Sequence, residues 1–227
     1  MSTAIHGPWP EENCLRANMI LSISGASEHE GASAPLSGPL DNRLLHELRA
    51  SADLVMVGAA TAIAERYIGV RLPADLAAER TRRGKPEPPP LAVLTRSARL
   101  PGDARFLSET DVRNMLVVTG DDPAASARGA KLVAGHRCDL LDATGWTMTQ
   151  VISELHNRGY ARILCEGGPR LLDLLIAEDL VDDLLISLSP VYSSSATGTR
   201  RFALATTTAR DGFVFTRWVR HDRSSIH

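Results

Sequence analysis

Short apolar runs recur along the chain, separated by polar or small residues at near-regular intervals. CLRANMILS (14–22), DLVMVG (53–58), LAVLT (91–95), NMLVVTG (114–120), CDLLD (138–142) and RILC (162–165) are too short for helices and read as strands. Several are apolar without alternation, the pattern of strands covered on both faces. Helical spacing fills the intervals. Asp41 is placed to cap NRLLHELRASA (42–52), where Leu44, Leu45 and Leu48 share one face. Thr61 stands at a turn into a short helix behind Gly58, and Asp121, Asp122 and Pro123 open another. TMTQVISELHNRGY (147–160) turns Val151, Ile152 and Leu155 inward and ends near Gly159. PRLLDLLIAED (169–179) starts on Pro169, DDLLISLSPVY (182–192) is extended again, and GFVFTRWVRH (212–221) alternates like an antiparallel strand.

Strands that alternate with helices predict an α/β fold: a mostly parallel central sheet flanked by helices, with an antiparallel C-terminal edge. One domain is expected over residues 14–220, with tails at 1–13 and 221–227. Two segments interrupt the pattern. Residues 23–40, dense in Gly, Ala, Ser and Pro, form a long irregular stretch of the kind that is either functional or disordered. Residues 73–90 (PADLAAERTRRGKPEPPP) are expected to be a surface loop, with Arg80, Arg82, Arg83 and Lys85 solvated on it.

Composition narrows the function classes. Lys and Arg number 25 against 27 Asp and Glu, a net charge of −2, so neither nucleic acid nor an anionic membrane is the expected partner. No window approaches a membrane span and no signal core opens the chain, so a cytoplasmic protein acting on a small molecule is expected. Cys14, Cys138 and Cys165 show neither a CxxC pair nor ligand spacing and are expected to be buried, with no metal site. His6, His29, His46, His136, His156, His221 and His227 are scattered and read as surface or structural residues. Ser22 and Ser24 flank a strand end, but no GxSxG elbow supports a hydrolase, and no HxE…PCxxC pattern supports a zinc deaminase.

Chemistry collects at the strand ends, where ligands of open α/β sheets bind. GAAT (58–61) follows one strand, Arg96 and Ser97 a second, Gly120, Asp121 and Asp122 a third, and Glu166, Gly167 and Gly168 a fourth. Small residues admit a ligand closely, and helix N-termini present N–H groups to anions. Neither GxGxxG nor a Walker A loop is present. A guanidinium beside a hydroxyl, as at Arg96 and Ser97, suits the 2′-phosphate that separates NADPH from NADH, and equally a solvated surface arginine.

RANMILSISG, LRASADLVMVGAAT, LAVLTRS and above all RILCEGGPRLLDLLIAEDLVDDLLISLSPVY resemble the reductase domain of bacterial riboflavin biosynthesis, a dihydrofolate reductase-like fold. The likeness runs from about Leu15 to Val219, and RYIGVR (66–71) looks most like the stand-alone actinobacterial branch. The resemblance implies NADPH-dependent reduction of a ribosylaminopyrimidine, 5-amino-6-(5-phosphoribosylamino)uracil or a close analogue, to its ribitylamino form. It also implies a homodimer, with the C-terminal antiparallel edge as a contact. Carried over by position, Ile20 and Leu21 lie against the nicotinamide, Thr61 and Glu65 near the cofactor, and Arg96 and Ser97 on its adenosine side. Gly167, Gly168, Pro169, Arg170, Leu171 and Leu172 would cradle the phosphates. Ser33, Arg49 and Arg71 match substrate-side positions, while Glu166 and Ser24 match the catalytic ones.

Two positions depart from that family's pattern. Ser24 stands where S-L-D-G carries an aspartate, and Ala26 where a basic residue is usual. The lost carboxylate keeps two alternatives open: reduction of a dihydropterin-type substrate, and a non-catalytic nucleotide-binding protein. On the pathway reading, a separate protein supplies the deaminase step.

Overall fold

The computed structural model describes residues 7–9, 13–86, 88–109, 112–194, 198–210 and 213–220, in two compact units. The first comprises residues 1–18 and 39–185. Its strands β1 (Cys14–Ser22), β2 (Leu54–Gly58), β3 (Leu91–Thr95), β4 (Asn114–Val118), β5 (Cys138–Asp142), β6 (Arg162–Cys165) and β7 (Asp183–Ser189) form a sheet of order β5-β4-β3-β2-β6-β1-β7. β1 and β7 continue along their length into the second unit. Every pairing from β5 through to β1 is parallel, as the alternation of elements predicts.

The unbroken apolar runs are explained by burial on both faces. Val55, Val57, Leu91, Val93, Leu116, Val118 and Leu164 join one core cluster; Leu54, Met56, Ala92, Leu94, Met115, Val117, Ile163 and Cys165 join the other. The period of two thus sorts neighbouring residues onto opposite faces. Helices α1 (Pro39–Ser51), α2 (Ala59–Ala64), α4 (Arg105–Ser108) and α5 (Pro123–Val133) contribute Leu48, Ala62, Phe106 and Ala125 to the first cluster. Helices α6 (Met148–Asn157) and α7 (Pro169–Ala177) contribute Val151, Leu155, Leu171 and Leu175 to the second. Asp122 caps α5 by accepting the Ala124 N–H at 2.9 Å, and Thr147 closes a capping box with Gln150 on α6.

Several expectations change. Residues 74–82 are a helix, α3 (Ala74–Arg82), rather than part of a loop; its alanines favour helix, and the proline-rich loop begins only after Arg82. Arg80 is buried rather than solvated, because its guanidinium donates to the carbonyls of Ala50 (3.0 Å), Ala52 and Pro86. The first two carbonyls lie at the C-terminal end of α1, where a cation is favoured. Lys85 is also committed, at 2.5 Å from Asp53. Helix α1 begins at Pro39, so Asp41 sits in its first turn instead of capping it. Trp9, from the expected N-terminal tail, is buried: its indole N–H donates to Ser51 Oγ at 2.7 Å and its ring lies under Arg16. His156 Nδ1 lies 2.9 Å from the Tyr160 carbonyl, a structural contact. His6, His221 and His227, like the C-terminal tail, fall outside the described residues.

The second unit comprises residues 19–38 and 186–227. Its strands β8 (Val191–Ser194), β9 (Gly198–Arg210) and β10 (Phe213–Arg220) make a separate antiparallel sheet of order β10-β9-β8. β10 falls on the alternating GFVFTRWVRH segment, whereas β9 was not anticipated from the pattern. The irregular segment holds one short 3-10 turn, Ala34–Leu36, whose Leu36 carbonyl accepts from Ser189 Oγ at 2.5 Å.

All three thiols are buried. Desolvation raises each of them, Cys138 up to about 11 and Cys165 up to about 12. The folded protein is therefore expected to show no rapidly reacting thiol toward a disulfide reagent at neutral pH, and all three after denaturation. A fast thiol in the native state would contradict this packing.

Candidate active site

Four neighbouring strands of the first unit, β4-β3-β2-β6, are parallel, so their C-terminal ends share one edge of the sheet. The register brings Gly58 beside Leu94, Thr95 beside Val118, and Met56 beside Cys165. The GAAT, TRS, TGDD and EGGP segments are thereby set in a row. The row is stitched past the strands themselves: Glu166 N–H donates to the Met56 carbonyl at 2.9 Å, and Gly58 N–H to the Gly167 carbonyl at 2.8 Å.

The glycines of this edge answer different demands. Gly167 has φ +83, left-handed backbone that favours glycine. Gly168 has φ −55, open to any residue, but a Cβ there would stand 2.2 Å from Thr61 Oγ1. Gly120 is tighter still, since its Cβ would fall 1.9 Å from the Arg96 carbonyl oxygen. The α7 N-terminus opens directly from Gly168 without a side-chain cap, unlike α5 and α6. Pro169 and Arg170 are exposed in its first turn, whereas Leu171 belongs to the core and Leu172 packs against it. Thr61 lies in α2 and Glu65 is its C-cap residue. Arg96 is largely exposed, with Asp121 at 3.9 Å, a loose surface pair of little energetic weight. The Ser97 hydroxyl accepts the Arg99 N–H at 3.3 Å, and its carbonyl accepts from Arg128 Nε at 2.8 Å.

Arg49 and Glu166, expected on the substrate side and at the catalytic position, are partners. Arg49 Nε donates to Oε1 and Nη2 to Oε2, both at 2.6 Å, across 117 residues of sequence. Their side chains are 14% and 4% exposed, so the pair is largely desolvated. Tyr67 Oη adds a third donor to the carboxylate at 2.6 Å. Burial and then the Glu166 charge push the Tyr67 phenol well above its usual range, so it stays neutral and donating. Burial opposes the charge on Arg49, but the Glu166 carboxylate outweighs it and holds the guanidinium charged. His46, on the same helix as Arg49, is lowered first by burial and then by the Arg49 charge, which favours neutral imidazole. Arg71 is exposed.

Ile20, Leu21, Ser24 and Ser33 belong to the second unit. Ile20 and Leu21 lie half-buried in β1. Ser24 Oγ donates to the Ser193 carbonyl at 2.7 Å, accepts the Ser193 N–H at 3.1 Å, and lies 2.8 Å from Ser22 Oγ. His29 Nδ1 lies 3.1 Å from Ser193 Oγ. Where the resembled pattern has a carboxylate, this chain has a hydroxyl that fastens β8. Tyr67 carries no local signal as a site residue, because its carboxylate partner is 99 residues away.

A family model described as the RibD C-terminal domain matches residues 13–202. The chain belongs to this family. Among curated proteins it is 30% identical over 177 residues, 77% of this chain and 79% of the other, to the 2,5-diamino-6-ribosylamino-4(3H)-pyrimidinone 5′-phosphate reductase of Archaeoglobus fulgidus. The protein of the same name from Methanothermobacter thermautotrophicus is 27% identical over 179 residues, 77% of this chain and 76% of the other. Among solved structures, a pyrimidine reductase-like protein of Corynebacterium diphtheriae superposes with a TM-score of 0.74 at 25% identity, covering 96% of this chain and 97% of that one. The yeast riboflavin biosynthesis reductase Rib7 shares the fold, with a TM-score of 0.56 at 15% identity over 96% of both chains.

The contact between Gly168 and Thr61 gives a direct test. Gly168→Ala is expected to destabilise the protein by about 1–3 kcal/mol through overpacking, and Thr61→Ala in the same chain to recover most of it. Chemical denaturation of the single and double variants measures both. Equal losses in the two would show that the crowding lies elsewhere.

Proposed function

We propose that the protein is an NADPH-dependent reductase that converts a ribosylaminopyrimidine 5′-phosphate to its ribitylamino form. The observation that carries this reading is the row of four parallel strand ends closed by Gly167, Gly168 and the uncapped N-terminus of α7. Side-chain volume at Gly168 is excluded by Thr61, and the positive end of the helix dipole lies at this turn. A dinucleotide pyrophosphate fits such a cradle. The names of the two archaeal relatives and of the Corynebacterium structure point to the same chemistry.

When bound, the nicotinamide would supply the hydride for reduction of the sugar carbon that bears the amine. The chain binds, orients and excludes water. Gly167, Gly168, Pro169 and Arg170 hold the pyrophosphate, with Leu171 and Leu172 anchoring the helix in the core. Thr61 and Glu65 border the cofactor. Arg96, largely exposed with Asp121 at 3.9 Å, would meet a 2′-phosphate with Ser97 beside it. Ile20 and Leu21 supply the apolar wall for the nicotinamide. Ser33, Arg49 and Arg71 serve the substrate, and Glu166 and Ser24 mark its reacting end. A homodimer in the cytoplasm is the setting we infer; among the described residues no helix is long and apolar enough to cross a membrane.

The test is steady-state turnover of 2,5-diamino-6-ribosylamino-4(3H)-pyrimidinone 5′-phosphate and of the corresponding uracil with NADPH and with NADH. Turnover of at least one pyrimidine with NADPH is expected, and turnover of dihydrofolate alone would overturn the reading. Arg96→Ala is expected to raise the KM for NADPH about tenfold, the loss of one charge-assisted contact, and to leave that for NADH unchanged. An equal change for both cofactors would remove Arg96 from 2′-phosphate recognition.

A further inference from the structure

The turn after β3 holds its own shape. Thr95 Oγ1 accepts the Ala98 N–H at 3.1 Å, Ser97 Oγ accepts the Arg99 N–H at 3.3 Å, and the Thr95 carbonyl accepts the Thr119 N–H at 3.0 Å. Gly120 fits against the Arg96 carbonyl, and Ala98, at φ +50, is buried. Arg128, on α5, nevertheless reaches this turn. Its Nε donates to the Ser97 carbonyl at 2.8 Å and its Nη2 to Asp122 Oδ2 at 2.6 Å. A single guanidinium therefore separates the Asp122 carboxylate from the backbone of Ser97. The other oxygen, Asp122 Oδ1, accepts the Ala124 N–H at 2.9 Å, so the positive end of α5 already faces an acid of this chain. The Arg128 and Asp122 side chains are 30% and 47% exposed, and such a pair adds little to stability. What it changes is the charge at the turn. The Arg128 guanidinium holds the Asp122 carboxyl below its usual range and covers its negative charge.

We propose that Arg128 determines cofactor choice at this edge, by cancelling the charge of Asp122 beside Ser97. This rests on the reading of the chain as an NADPH-dependent reductase and adds a specificity residue that acts through another side chain. An acid beside the adenosine ribose accepts a hydrogen bond from a free 2′-hydroxyl and repels a 2′-phosphate. Two acids, Asp121 and Asp122, follow β4, and the register sets that strand end beside the β3 turn. By themselves they would suit NADH. Arg96 stands opposite the first at 3.9 Å, and Arg128 is bonded to the second. Arg96, Arg99 and Arg128 against Asp121 and Asp122 leave one net positive charge on these segments. Removing Arg128 takes that sum to zero and uncovers Asp122. Because the turn keeps its own hydrogen bonds, the contribution of Arg128 is electrostatic rather than structural.

Calorimetric binding of NADP+ and of NAD+ to the full chain reads this without turnover. Arg128→Met is expected to raise the Kd for NADP+ about tenfold and to leave that for NAD+ within about twofold. Arg128→Lys keeps a positive charge beside Asp122 and is expected to stay within about threefold of wild type for NADP+. Asp122→Asn keeps a helix-capping oxygen; added to Arg128→Met, it is expected to recover most of the lost NADP+ affinity. A loss shared by both dinucleotides, a lysine variant as weak as the methionine one, or no recovery in the double variant would each overturn the proposal. If the wild-type chain binds neither dinucleotide, the functional reading fails. Adenosine 2′,5′-bisphosphate then decides the role of Arg128: weaker binding to Arg128→Met than to wild type supports it, and equal binding, absence of binding included, refutes it.

Discussion

A strand buried on both faces has nowhere along its length for polar chemistry. In β2, β3 and β4 nearly every side chain lies in one of two apolar clusters, and exposure begins only where the strands end. Because the strands are parallel neighbours, those ends fall on a single edge. The position of the candidate site follows from this burial, and the glycines, hydroxyls and charges at 58–61, 95–97, 119–122 and 166–170 are distributed accordingly. The exposed i,i+4 pairs, such as Arg105 with Glu109 and Arg158 with Glu154, are minor by comparison, since solvent screens them.

Arg80 and Arg49 show how the fold accommodates charge inside this frame. Arg80 has no salt-bridge carboxylate among the described residues, and its Nε and Nη1 donate to carbonyls at the end of α1 and at Pro86; desolvation lowers its pKa. It acts as a structural clamp. Arg49 instead meets a buried carboxylate, and leaving either partner alone would strand a charge at a cost of about 3–5 kcal/mol. The same pair joins α1 to the turn after β6. A difference in where the charge is balanced, by backbone in one case and by an acid in the other, separates the structural arginine from the one at the site edge.

The glycine-rich edge follows the same economy of space. Gly120 and Gly168 adjoin, respectively, the Arg96 carbonyl and the Thr61 hydroxyl, at distances no Cβ would tolerate. Their smallness brings the β3, β4, β2 and β6 turns close together. In the second unit, Ser24 illustrates a different solution. Where a carboxylate is usual in the pattern that the sequence resembles, a hydroxyl bridges both backbone groups of Ser193, which trades an acid for a tie between strand ends.

Much of this was legible in the one-dimensional pattern. Unbroken apolar runs marked the buried strands; Pro123, Pro169, Asp122 and Thr147 marked helix starts; and small residues after four runs marked the edge. These signals are local, because periodicity, caps and turns depend on residues within a few positions of one another. The helix at 74–82 was hidden by the prolines just beyond it, and β9 by its lack of apolar contrast. What no local pattern could state was partnership. Arg80 looked solvated until the carbonyls of Ala50 and Ala52 were seen around it. Arg49 and Glu166 could each be singled out alone, but not as two ends of one bidentate bond with Tyr67 as the third member. Such contacts are set by how α1, α2 and β6 pack together in space. The sequence determined which residues carry charge and where chains turn; the tertiary structure decided which charges face each other, because only packing brings positions more than a hundred residues apart within 2.6 Å.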